Sequence, residues 1–223
     1  MTEVARSNAT DPIVAWLQAN APSETATAAA PIESVKPYDD LEASVTERAV
    51  KVRRDEFHTG RRLARAALAR LGCGPTVIPV GEGRAPIWPS GFRGSISHSR
   101  LLCIAHVGRT RELLGVGVDI ELDAPLPNEL TSLVCRRDED LSRTERSPLL
   151  RFVAKEAFFK AYFPETREFL DFHDVHVELN EERGTFVASL VSANKPPLAG
   201  RRSFAGRFVS LAEHLIAALW IRA

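Results

Sequence analysis

The sequence predicts an α+β fold, on three observations. Val116, Val118 and Ile120 alternate with Gly117, Asp119 and Glu121, the two-residue period of a β-strand. Ala64, Ala67, Leu68 and Leu71 recur at helical spacing and make one apolar stripe. Val175, Val177 and Leu179 alternate again, and Thr185–Leu190 offers a partner strand across a turn at 181–184. The 223 residues are enough for one large domain or two small lobes with a true core.

Taken in order, Asp11–Leu17 reads as a short apolar helix or a strand, and residues 22–31, rich in Ala, Thr and Ser, as a loop or an edge strand. Residues 45–71 read as one helix, with Ser44 as its cap, Glu47 completing a capping box, and Gly72 and Gly74 closing it. Arg54 and Arg61 lie seven residues apart on it, within about 20° of each other on an ideal helix; Arg53 and Arg61 lie wider. Gly81-Glu82-Gly83-Arg84 is a tight turn whose glycines let backbone amides approach an anion, with Arg84 adding charge.

Residues 94–98 form a strand with Ser95 and Ser97 on one face and Ile96 and His98 on the other; 101–107 returns from it. On the strand 115–121, Asp119 and Glu121 share a face with Gly117 beside them. Two like charges so placed call for a proton or a cation, and the glycine leaves room for a close approach to the backbone. An edge strand with a solvated acidic face accounts for this stretch equally well. Residues 123–127 are a loop, and 136–147 a charged, exposed helix or loop. Ser147-Pro148 starts a helix and Pro164 stops it. Phe152, Glu156 and Lys160, at i, i+4 and i+8, share one face of it, as an ion pair or as part of a site. Residues 207–221 supply one or two last strands, with His214 structural.

Net charge is zero but unevenly spread. Residues 51–111 carry twelve Lys or Arg against three Asp or Glu, whereas 1–50 carry three against eight. Such a basic segment suits a polyanion. The aromatics are not interleaved with the basic residues as a single-strand platform requires. Ser97-His98 without a nearby acid or a nucleophile elbow speaks against a serine hydrolase. Cys73, Cys103 and Cys135, odd in number and far apart, suggest reduced thiols in a cytoplasmic protein. No apolar run approaches the roughly 20 residues of a membrane span, and the N-terminus lacks a signal-peptide layout.

Five blocks stand in order between residues 53 and 163. They are Arg53-Arg54-Asp55-Glu56-Phe57-His58-Thr59-Gly60-Arg61, Arg84-Ala85-Pro86-Ile87-Trp88-Pro89, Gly94-Ser95-Ile96-Ser97-His98-Ser99, Gly117-Val118-Asp119-Ile120-Glu121, and Phe152-Val153-Ala154-Lys155-Glu156-Ala157-Phe158-Phe159-Lys160. Together they resemble the signature of the Sfp-type 4′-phosphopantetheinyl transferases, in the branch typified by enterobactin synthetase component D. The resemblance implies two similar α/β lobes related by a pseudo-twofold axis. Residues 1–114 would carry the nucleotide of coenzyme A, and 115–223 the metal and the catalytic helix.

It implies transfer of the phosphopantetheine arm of coenzyme A to a serine of an acyl or peptidyl carrier protein. Such carriers serve nonribosomal peptide, polyketide or siderophore biosynthesis. Glu156, Lys160 and His98 would be catalytic. Arg53 and Arg61, with Arg54 as substitute, would take the 3′-phosphate; Gly81, Gly83, Arg84, Ser97, His98, Asp119, Glu156 and Lys160 would line the rest of the coenzyme A site. Mg2+ or Mn2+ would sit on Asp119, Glu121 and Glu156. A cytoplasmic monomer is expected, with no nucleic acid and no membrane among its partners. Arg136, Arg137, Arg143 and Arg146 would offer a docking surface to an acidic carrier. Phe152 stands where many members have Trp, and Val80 where some have Lys. Two other readings are a catalytically silent coenzyme A-binding module and a nucleic-acid-binding protein built on 51–111.

Overall fold

The structure, a computed structural model, describes residues 3–139, 144 and 146–223. The α+β expectation holds: two antiparallel sheets, each covered by one long helix. Helix α1 (Glu3–Asn20) leads into β1 (Thr25–Pro31). Helices α2 (Asp40–Thr46) and α3 (Lys51–Arg70) follow, then β2 (Phe92–His98) and β3 (Leu102–Arg109). The three strands form a sheet of order β1-β3-β2. Its inner face packs on α3, joining Ala64, Ala67 and Leu68 to Ala26, Ala28, Ala105 and Val107.

The second half starts with β4 (Leu113–Leu122) and α4 (Asn128–Val134). Helix α5 (Ser147–Thr166) precedes β5 (Val175–Asn180), β6 (Thr185–Leu190), β7 (Ser203–Leu211) and β8 (His214–Arg222). These five strands order as β4-β8-β7-β6-β5. Phe158 and Tyr162 of α5 are fully buried against this sheet; each such side chain contributes roughly 1.5–3 kcal/mol by leaving water. A third core joins the halves: Ile13 and Leu17 of α1 meet Leu102 and Ile104 of β3, Val118 and Ile120 of β4, and Ile216 of β8.

The expected 45–71 helix is two helices. Asp39, not Ser44, is the cap of the first: its Oδ1 accepts from the Glu42 amide at 2.8 Å, while the Ser44 hydroxyl donates to the Leu41 carbonyl. Helix α5 runs through Pro164 to Thr166 and ends at Arg167 in the left-handed region, φ 59°. Within the last turn Pro164 costs one backbone bond and does not stop the helix. The run Asp11–Leu17 is helical, and 25–31 is the edge strand of its sheet.

Candidate active site

Strand β4 is built with two different faces. Val116, Val118 and Ile120 fill the core, while Gly115, Gly117, Asp119 and Glu121 face α5 or the cleft beside it. The space beside Gly117 is taken by the protein itself: a Cβ there would overlap the Ala157 carbonyl of α5, and one on Gly115 the Ala161 carbonyl. Two glycines thus bring the helix backbone down onto the strand and set the side chains of both elements against each other.

At that seam Lys160 Nζ donates to Asp119 Oδ1 (2.5 Å) and to Ser97 Oγ (2.9 Å), and Ser97 Oγ donates to the same Asp119 oxygen at 2.7 Å. Ser97 also receives the Ile120 amide, and Ser95 donates to the Val118 carbonyl, so the hydroxyls of β2 fasten it to β4. Asp119 Oδ2 is buried and has no hydrogen-bond partner among the described residues. Burial pushes the Glu121 carboxyl up to about 7, with the Asp119 and Glu156 charges helping and Lys160 opposing. Glu156 is also raised, by burial first and then by Asp119. Among the described residues no three His, Cys, Asp or Glu side chains close into a ready metal cage. The donor set suits a hard cation that takes one or two carboxylates and completes its shell with water and phosphate oxygens. The unpartnered Asp119 Oδ2 is the buried acceptor there that such a cation could use.

Glu156 and Lys160 line a cavity of about 200 Å3 with Gly83, Arg84, Phe159 and Phe163. A second cavity, of about 230 Å3, shares Arg84, Pro86 and Ile96 with it and is lined further by Arg53, Glu56, Phe57, Arg61 and His98. One continuous groove therefore runs from the acidic seam to α3. Arg61 is buried there: its Nε donates to the Ile78 carbonyl at 2.9 Å and its guanidinium lies 4.7 Å from the Phe57 ring centre. Burial lowers it to about 10, so it stays charged at neutral pH. Arg53 is exposed and paired with Glu56 at 2.8 Å; Arg54 is exposed and donates to the Ala49 carbonyl.

His98 Nε2 stands 3.7 Å from that same Glu56 carboxylate. Burial lowers the His98 imidazole, Glu56 opposes, and Lys160 and Arg53 lower it further. The Gly81 amide is committed to the Ala85 carbonyl at 2.7 Å, and the missing side chains of Gly81 and Gly83 make room for Ile87 and Phe163. Gly83 has φ 59°, which glycine adopts freely.

Of the eleven residues singled out in the sequence, Arg53, Arg61, Gly83, Arg84, His98, Glu156 and Lys160 line this groove and Ser97, Asp119 and Glu121 lie at its acidic end, whereas Gly81 and the substitute Arg54 line neither cavity. Glu56, Ser95 and Phe163 were missed; the i, i+3 spacing of Arg53 and Glu56 was the one local signal for them. The basic excess of 51–111 is mostly spent internally. Lys51 pairs with Asp55, Arg62 with Glu33, Arg65 with Glu42, Arg93 with Glu165 and Arg111 with Glu24. Arg70 and Arg109 donate to backbone carbonyls. No described helix is long and apolar enough to cross a membrane.

Comparison with known proteins covers both halves. Residues 41–108 match the family model of the 4′-phosphopantetheinyl transferase N-terminal domain, and 115–215 that of the 4′-phosphopantetheinyl transferase superfamily. The chain is 36% identical over 208 residues to 4′-phosphopantetheinyl transferase Svp of Streptomyces mobaraensis, spanning 89% of this chain and 84% of that protein. It is 36% identical over 175 residues to 4′-phosphopantetheinyl transferase PptT of Mycobacterium tuberculosis, spanning 72% and 77%. Enterobactin synthase component D of Salmonella typhimurium matches at 34% over 118 residues, spanning 49% of this chain and 48% of that protein.

Proposed function

The chain belongs to the 4′-phosphopantetheinyl transferase superfamily, and from that premise we propose that it moves the 4′-phosphopantetheine arm of coenzyme A onto a serine hydroxyl of an acyl or peptidyl carrier protein. The observation that carries this reading is the groove that joins a buried arginine to the Ser97–Asp119–Lys160 seam beside Glu156. Residues 1–114 form the coenzyme A nucleotide side of the groove, and 115–223 supply the metal carboxylates and the catalytic helix.

Arg61 takes the 3′-phosphate, with Arg53 leaving Glu56 to assist. Arg84 and His98 run along the diphosphate, and Ser97 with Lys160 holds its reacting end. The serine oxygen attacks the phosphorus on the pantetheine side, its proton passes to Glu156, and the phosphoanhydride bond breaks. The leaving group is adenosine 3′,5′-bisphosphate. Glu156, raised by its burial, is suited to accept that proton. Asp119 and Glu121 would hold Mg2+ or Mn2+, with Glu156 the third nearby carboxylate. When bound, the cation supplies charge neutralisation at the diphosphate oxygens. Positioning and charge neutralisation account for the catalysis; no covalent intermediate is needed.

The carrier docks beside the catalytic helix. Leu130 and Leu133 of α4 and Phe169 are exposed, and Phe169 lines a groove with Glu156 and Phe159. These give an apolar centre of the kind interfaces use. Of the arginines expected to dock it, Arg136 is tied to Asp138 and to the His173 carbonyl and Arg146 to Asp123, while Arg143 lies outside the described residues. They act at the rim. The test is incubation with coenzyme A and an apo carrier, read by mass spectrometry of the carrier.

A further inference from the structure

The block Phe152–Lys160 contains two lysines, and only Lys160 faces the groove. Lys155 has a side chain 2% exposed and Glu139 one that is 0% exposed. The Lys155 ammonium donates to Glu139 Oε2 (3.0 Å) and to the Val134 carbonyl at the end of α4 (2.8 Å). Glu139 in turn accepts the Arg136 amide at 2.7 Å and, through Oε1, the Val177 amide of β5 at 2.7 Å. The guanidinium of Arg151, one turn before Lys155, stands 3.8 Å away. One buried ion pair thus ties α4, the segment after it, β5 and α5 together.

Consecutive helix residues are rotated by about 100°, so whatever fixes Lys155 also fixes where Glu156 and Lys160 point. The other side of α5 is seated on Gly115 and Gly117 of β4. Those glycines set how close the helix comes, and the apolar face of α5 seats it on the sheet. The bonded ammonium adds a directional anchor in the very turn that carries Glu156.

We propose that Lys155 and Glu139 are positioning residues of the transfer reaction, holding α5 in the rotation that presents Glu156 and Lys160 to Asp119 and the substrate. This rests on the reading given under Proposed function. It separates the two lysines of the block by role: Lys160 meets the diphosphate, while the Lys155 ammonium is spent on Glu139 and the Val134 carbonyl.

The test uses the full chain with Lys155→Met and with the double variant Glu139→Gln/Lys155→Met, which leaves neither charge buried alone and keeps the question open should the single variant fail to fold. A control, Leu190→Ala, thins the same core from β6. Three quantities are read: coenzyme A affinity by calorimetry, single-turnover transfer at saturating coenzyme A and carrier, and Mn2+ affinity by electron paramagnetic resonance in the presence of coenzyme A. A folded variant is expected to bind coenzyme A within about threefold of wild type, transfer at least roughly tenfold more slowly, and hold Mn2+ several-fold more weakly. The control, at a similar melting temperature, should match wild type in rate and Mn2+ affinity. Wild-type rate and Mn2+ affinity in a folded variant, or equal losses in the control, would overturn the proposal. Absence of transfer by the wild type would instead count against the functional reading, and the Mn2+ comparison would still decide this one.

Discussion

Removal of the Arg61 guanidinium tests the nucleotide end of the groove with an internal control. Arg61 is 5% exposed and held by the Ile78 carbonyl and the Phe57 ring, so it meets a ligand already in place. A charge-assisted hydrogen bond to phosphate contributes about 1.5–3 kcal/mol; at about 1.4 kcal/mol per decade this is roughly 10–150-fold in affinity. Arg61→Ala also loses packing and the bond to Ile78, but coenzyme A and dephospho-coenzyme A see the same damaged pocket. The ratio of their dissociation constants removes that shared part. Calorimetry should show the preference of wild type for coenzyme A falling by roughly 10–150-fold in Arg61→Ala. Arg53, being exposed and having to leave Glu56, should change the ratio by less than about tenfold. Equal losses for both ligands in Arg61→Ala would place the 3′-phosphate elsewhere and refute the assignment.

Asp119→Asn and Glu156→Gln should each slow transfer by roughly 10²–10⁴-fold while the far-ultraviolet dichroism stays native, because each swap keeps the side chain's size and Glu156 borders the cleft; near-normal turnover in either would remove it from the site. Leu133→Glu and Phe169→Ser should raise the carrier KM by roughly 5–30-fold, the equivalent of about 1–2 kcal/mol, and leave that for coenzyme A unchanged; no effect would move the docking surface off α4. The fully buried His106 bonds Thr27 and accepts from Trp220 as a neutral ring, and burial lowers it from 6.5 to about 4. The unfolded chain takes up this proton first as pH falls, so stability present above 6.5 is lost on the way to 4. The gap is worth roughly 3 kcal/mol. Urea unfolding at pH 7 and pH 4 should show a loss larger by about that amount in wild type than in His106→Gln, and parallel losses would assign the acid sensitivity to other groups.

What could be read in the sequence was what local periodicity writes. The alternation on β4 and the stripe on α3 are properties of neighbouring residues: the strand formed where expected, and the helix formed over the part that carries the stripe. The Ala-Thr run of β1 has no alternation; it is a strand because β3 pairs with it and α3 covers it. The break between α2 and α3 falls at Glu47–Val50, a stretch without glycine or proline to announce it. In the site, the residue types were legible and their partners were not. Ser97 meets Asp119 across strands that share no ladder, through a hydroxyl rather than a backbone pairing. Gly117 signalled a close approach, but the approaching group is α5 itself. Glu139 sits in a charged run that reads as exposed, yet Lys155 draws it into the core. Such a pairing depends on two segments meeting, which no short window contains.

The most direct measurement is the mass of an apo carrier after incubation with this protein and coenzyme A, with and without excess EDTA. The account predicts that the carrier serine gains one phosphopantetheine, that adenosine 3′,5′-bisphosphate appears in equal amount, and that EDTA abolishes both until Mg2+ is restored. A carrier of unchanged mass across a panel of acyl and peptidyl carriers would contradict the transfer, and a gain undiminished by EDTA would contradict the role given to Asp119 and Glu121.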